Sequence, residues 1–104
     1  MVGGEMAFLV TLIDSFMADA PKLLDQMNQA LGEAKAADLK LAAHTLKSLA
    51  NNFGAAQLAR QCKTLEDLGR VGELNGAAEV VELAATEYEQ VRLALVEIQK
   101  SYSN

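Results

Sequence analysis

Ala42-Ala43-His44-Thr45-Leu46-Lys47-Ser48-Leu49-Ala50-Asn51-Asn52-Phe53-Gly54 holds the only histidine of the chain, and the residues around it sort into two kinds. At about 100° per residue, Ala37, Lys40, Leu41, His44, Lys47, Ser48 and Asn51 fall within about 60° of His44. Leu39, Ala42, Leu46, Leu49, Ala50 and Phe53 fall on the far side. This division predicts a helix over residues 37–51 that buries the second set and presents the first to water. His44 then stands on an exposed, locally basic face, with Lys47 one turn ahead and Lys40 one turn behind. The chain as a whole carries a net charge of −5, so that basic face stands out.

Outward from this stretch, helical spacing recurs. Residues 1–4, with two glycines, read as a loose start. Phe8, Leu9, Leu12, Ile13, Phe16 and Met17 predict a helix over 5–19 with Phe8 and Phe16 in the core. Ala20-Pro21 predicts a break, because proline lacks an N–H and restricts its predecessor. A second helix then starts with Pro21 in its first turn, buries Leu23, Leu24, Met27, Ala30 and Leu31, and fades after Gly32. The histidine helix lacks a good N-cap, although Asp38 in its first turn suits the helix dipole. After the Asn51–Gly54 turn, a helix over 54–69 buries Ala55, Leu58, Cys62, Leu65 and Leu68, and Gly69 and Gly72 bracket the next turn. Leu74, Ala77, Val81, Ala84, Tyr88, Val91, Leu95, Ile98 and Tyr102 then form one apolar seam packing inside the fold. Short connections imply antiparallel neighbours. The reading is all-α, an up-down antiparallel four-helix bundle with helices starting near 21, 37, 54 and 73.

Composition agrees. The 104 residues suit one domain, 1–104. Hydrophobic residues at 51% against 22% charged supply a core and argue against disorder. The acidic balance argues against nucleic acid and anionic membrane as partners. One cysteine forms no internal disulfide and suits a reducing, cytoplasmic setting. Neither a signal peptide nor a bilayer-spanning apolar run is apparent.

His44-Thr45-Leu46-Lys47, followed by small residues, Asn52, Phe53 and Gly54, resembles the core motif of histidine phosphotransfer (HPt) domains. These proteins carry a phosphoryl group between receiver domains in multistep phosphorelays. The resemblance extends through Leu58, Cys62, Leu65, Glu66 and Gly69-Arg70, and the general layout matches nearly the whole chain. It implies that the helix over 5–19 is an additional N-terminal capping helix. It implies that His44 is the phosphoacceptor, that Lys47 stabilises the phosphoryl oxygens, and that receiver domains, or a hybrid sensor histidine kinase, are the partners. Ser48 and Leu49 depart from the family pattern, which usually has Gly and Ser there. The Ser48 hydroxyl either slows a partner's approach or helps to hold a phosphate.

The residues support this chemistry on their own terms. Neutral imidazole offers a ring lone pair near neutral pH without a separate base. Its other nitrogen needs an acceptor to fix the tautomer, and the returning helix brings residues 62–66 alongside His44. Side chains lean toward their own helix N-termini, so His44 and Glu66 lean toward one another, making Glu66 the orienter. Ala37, Lys40, Leu41, Ser48 and Asn51 form the docking face. No cofactor is called for, and one histidine with an inward Cys62 makes no metal site. Without a Gly-rich phosphate loop the chain is no kinase. Thr45, where kinase phosphoacceptor helices carry an acidic residue, points the same way. The expected role is a monomeric, stoichiometric carrier. The alternatives are an unphosphorylated bundle that binds a receiver or kinase, and an oligomerisation module built on the last helix.

Overall fold

The computed structural model describes residues 2–102, with the side chains of residues 5–102. Four helices account for nearly all of it: α1 (Val2–Gly32), α2 (Ala36–Asn52), α3 (Ala56–Val71) and α4 (Ala77–Tyr102), with no strand among the described residues. Each helix packs on its neighbours in sequence, and α4 closes back onto α1. Ile13, Phe16, Met27, Leu39, Leu46, Leu58, Leu65 and Val81 are the large, fully buried side chains of the common core.

The division of α2 into two faces holds. Leu39, Ala42, Leu46 and Ala50 are buried, Ala43 joins them, and Leu49 and Phe53 pack partly against the core. As expected, Lys35 at the start of α2 makes no side-chain capping bond, and Asp38 lies in the first turn. On α3, Leu58, Cys62 and Leu65 are buried, together with a second row, Ala59, Glu66 and Gly69, that the apolar pattern did not single out. Gly69 is helix interior. The chain turns at Gly72 instead, whose φ of 75° is left-handed and favours glycine.

Two expectations about the ends of the chain are corrected. Residues 2–32 form one continuous helix with Pro21 inside it, so no separate capping helix over 5–19 exists, and Val2–Gly4 belong to α1 rather than to a loose start. Met1 lies outside the described residues. Proline at 21 removes the N–H that would bond the Met17 carbonyl. The Tyr88 hydroxyl of α4 donates to that carbonyl at 3.4 Å, supplying a substitute donor. Burial pushes the Tyr88 phenol up from its usual pKa, so the donor proton stays in place.

The second correction concerns length. With 31 and 26 residues, α1 and α4 span about 46 and 39 Å, whereas 17 and 16 residues give α2 and α3 only about 25 Å. The long axis of the molecule is 47 Å. The N-terminal half of α1 therefore lies along the C-terminal half of α4, beyond the reach of the two shorter helices. Gln99 ties the pair, donating to the Asp14 carboxylate at 2.8 Å and the Val10 carbonyl at 3.4 Å. Phe16 marks the boundary, its ring 5.0 Å from Phe53 and 5.6 Å from Tyr88. Past it, Phe8 is exposed rather than core, and the last two positions of the α4 seam, Ile98 and Tyr102, are exposed as well. Two helices alone cannot cover an apolar stripe on both sides.

The Pro21–Met17–Tyr88 arrangement is testable by a double-mutant cycle in urea denaturation. Tyr88→Phe should destabilise by about 1 kcal/mol, the usual net worth of one such hydrogen bond. In a Pro21→Ala background, where an N–H again serves the Met17 carbonyl, the loss should be smaller.

Candidate functional site

α2 and α3 form the most extensive helix pair of the molecule, and one edge of their interface is open to solvent. His44 lies on that edge, its side chain 55% exposed. Its Nδ1 lies 2.8 Å from Glu66 Oε2. Lys47, one turn along α2, donates from Nζ to Glu66 Oε1 at 2.6 Å. Glu66 itself is only 8% exposed, the one buried charged residue among the described side chains. One carboxylate thus serves two side chains of the neighbouring helix, one through each oxygen.

The electrostatics follow from that sharing. The hydrogen bond from Lys47 holds the Glu66 carboxyl below its ordinary value of 4.5. Partial burial works against this, and the bond to His44 reinforces it. An ionised carboxylate only accepts hydrogen bonds, so the short contact places a proton on His44 Nδ1. The lone pair of the neutral ring is then on Nε2, which faces away from α3. The tautomer is therefore fixed by a charge that Lys47 maintains.

Each sequence-derived site residue can be placed. His44, Lys47 and Glu66 come together. Ala37, Lys40 and Leu41 line a hollow of about 450 Å³ with His44 and Glu66. Leu41, 67% exposed, is its apolar wall. Ser48 and Asn51 are exposed further along the same face but do not line the hollow. The Ser48 hydroxyl donates back to the His44 carbonyl at 3.2 Å, a common habit of serine within helices, so its proton is engaged with the backbone. Lys63 pairs with Asp67 rather than with Glu66. Arg70 bonds Asp67 at 2.7 Å and stands 3.9 Å from Glu66, adding a more distant positive charge. Cys62 is buried, and burial pushes its thiol up to about 12, which removes it as a nucleophile near neutral pH. Among the described residues no three His, Cys, Asp or Glu side chains gather into a metal-holding group, and no helix is long and apolar enough to cross a membrane.

A depressed carboxyl pKa makes stability pH-dependent with a definite sign. The Glu66 contribution is fully present above about pH 4.5, its ordinary value, and is lost as pH falls through the lower folded-state value. Thermal melts of the wild type and Glu66→Gln should therefore differ in favour of the wild type at neutral pH, and the gap should close on acidification below pH 4.5.

Comparison with known proteins identifies the family. The Hpt domain family matches residues 11–97. Among solved structures, the histidine-containing phosphotransfer protein B (HptB) of Pseudomonas aeruginosa PAO1 superposes with a TM-score of 0.87 at 33% sequence identity. The match covers 89% of this chain and 81% of that one. No curated protein matches the sequence significantly. The shared helical fold, the family match over most of the chain and the identity to HptB establish that this chain belongs to the Hpt domain family, the histidine phosphotransfer proteins of phosphorelays.

Proposed function

We propose that the chain is one domain, a monomeric and stoichiometric phosphocarrier of the cytoplasm. In this reading His44 takes a phosphoryl group from a receiver-domain aspartate and passes it to another receiver, and a hybrid sensor histidine kinase is the natural host of the donor receiver. The observation that carries it is the exposed His44 ring with Nδ1 on an ionised Glu66, because this leaves the outward Nε2 as the nucleophilic atom. An up-down antiparallel course supports a rigid platform for that ring. The connections are only residues 33–35, 53–55 and 72–76, and helices so joined return alongside one another.

The Nε2 lone pair attacks the phosphorus of an aspartyl phosphate. A P–N bond forms as the P–O bond to the aspartate breaks, and the carboxylate leaves with the bonding pair. The ring becomes positively charged, with its remaining proton on Nδ1 held by Glu66, which lies close enough to stabilise that charge. Return of the phosphoryl group to a second aspartate reverses these steps, and the imidazole is regenerated unchanged.

Lys47 has three N–H donors and commits one to Glu66. The others remain for the phosphoryl oxygens, so one ammonium holds Glu66 ionised and meets the incoming charge. Ala37, Lys40, Leu41, Ser48 and Asn51 supply the docking face. Leu41 is its apolar anchor, of the kind that contributes most when fully desolvated in an interface.

The decisive experiment mixes the protein with a phosphorylated receiver domain and follows the label. Acid-labile, base-stable label should appear on the wild type and be absent from His44→Gln, with both proteins giving the same helical circular dichroism. Label persisting on His44→Gln would remove His44 as acceptor. Receiver binding and signalling that are indifferent to the substitution would leave only a binding module.

A further inference from the structure

Gly69 lies inside α3, where glycine weakens a helix relative to alanine. Its φ does not fall in the left-handed region, so no special backbone conformation requires it. Space does. A Cβ at position 69 would stand 2.8 Å from the Ala36 carbonyl oxygen, 2.8 Å from the Lys40 amide nitrogen and 2.9 Å from Lys40 Cβ. Ala36 and Lys40 are four residues apart in the first turn of α2, so these two backbone atoms are the acceptor and donor of a helical hydrogen-bond pair. Neither can rotate aside as a flexible side-chain end would. The missing side chain therefore lets α3 rest directly on the backbone of α2.

This close approach lies one turn from the pair described above. Glu66 precedes Gly69 by three residues on α3, and His44 follows Lys40 by four on α2. We propose that Gly69 is a positioning residue: by setting the separation of α2 and α3, it brings the Glu66 carboxylate within hydrogen-bond distance of His44 Nδ1. A methyl group here wedges the helices apart at their point of contact. The 2.8 Å bond is sensitive to such a shift, because N–H···O bonds run from about 2.7 to 3.2 Å and weaken beyond that range. Gly69 thus acts on the imidazole through Glu66 without touching it.

The functional part of this inference rests on His44 being the acceptor, whereas its structural part is read separately. With one histidine in the chain, the ¹⁵N resonances of the imidazole report a single ring. In the wild type they should show the Nδ1–H tautomer. In Gly69→Ala the ring should shift toward the Nε2–H form, and phosphoryl uptake from a phosphorylated receiver should slow by about 10- to 100-fold, the scale of a sub-ångström to 1 Å misplacement. In a Glu66→Ala background, adding Gly69→Ala should change the uptake rate by no more than about twofold and leave the tautomer as Glu66→Ala alone sets it.

A wild-type tautomer in folded Gly69→Ala, or the same rate loss with and without Glu66, would overturn the proposal. If Gly69→Ala does not fold, Glu66→Asp reads the same distance with the α2–α3 contact untouched, since it keeps the charge and withdraws it by one methylene. It should lose the Nδ1–H preference, and retention of both the wild-type tautomer and the wild-type rate would equally defeat the proposal. The expected tautomer shifts in a protein whose wild type takes up no phosphoryl group would support the positioning role and discard the carrier reading instead.

Discussion

The Glu66 carboxylate, nearly enclosed between α2 and α3, is the charge around which the functional surface is arranged. Removing a carboxylate from water is expensive unless it is paired and hydrogen-bonded, and here each oxygen has a partner on the facing helix. The pairing works in both directions. Lys47 keeps the group ionised, and the ionised group fixes the proton of the imidazole. The usual worry about a buried ion pair, that desolvation outweighs attraction, is eased because both partners reach solvent and only the carboxylate is nearly enclosed. Membership of the Hpt family is what makes this arrangement worth testing as the phosphoacceptor site proposed above: a carrier of that kind needs a defined nucleophilic nitrogen on a surface that another protein can reach.

Much of this was legible in the chain. Periodicity placed His44, Leu41 and Lys40 outward and Leu39, Ala42 and Leu46 inward, because the α2 face toward the core is continuous and apolar. The antiparallel return and the lean of helical side chains were enough to pair His44 with Glu66. The bond from Lys47 to Glu66 is not legible in the sequence, where Lys47 stands only as a phosphate contact, since one residue's spacing on α2 does not reveal which acceptor on α3 it can reach.

The rest was hidden for identifiable reasons. Pro21 is a strong local signal for a break, yet a tertiary donor from α4, remote in sequence, supplies what the proline removes. Gly69 resembles a helix terminator when the next glycine is three residues away, and its real neighbours, Ala36 and Lys40, lie on another helix. The seam of α4 is equally apolar along its length, so nothing in it announces that α2 and α3 stop before Ile98 and Tyr102. Each case is a local pattern overruled by the length or position of a distant element.

That inequality of helix lengths has a dynamic consequence. Residues 5–12 of α1 and 96–102 of α4 hold no buried side chain, whereas Met27, Leu46 and Leu65 are fully buried. Sub-global opening selects segments with few buried contacts, so amide protons should exchange soonest at the two-helix tip and last around Leu46 and Leu65. From His44 to Asn52, where α2 ends, is eight residues of helix, about 12 Å. Fraying of the tip thus stops short of the imidazole, and the molecule can breathe at one end while the other holds its register.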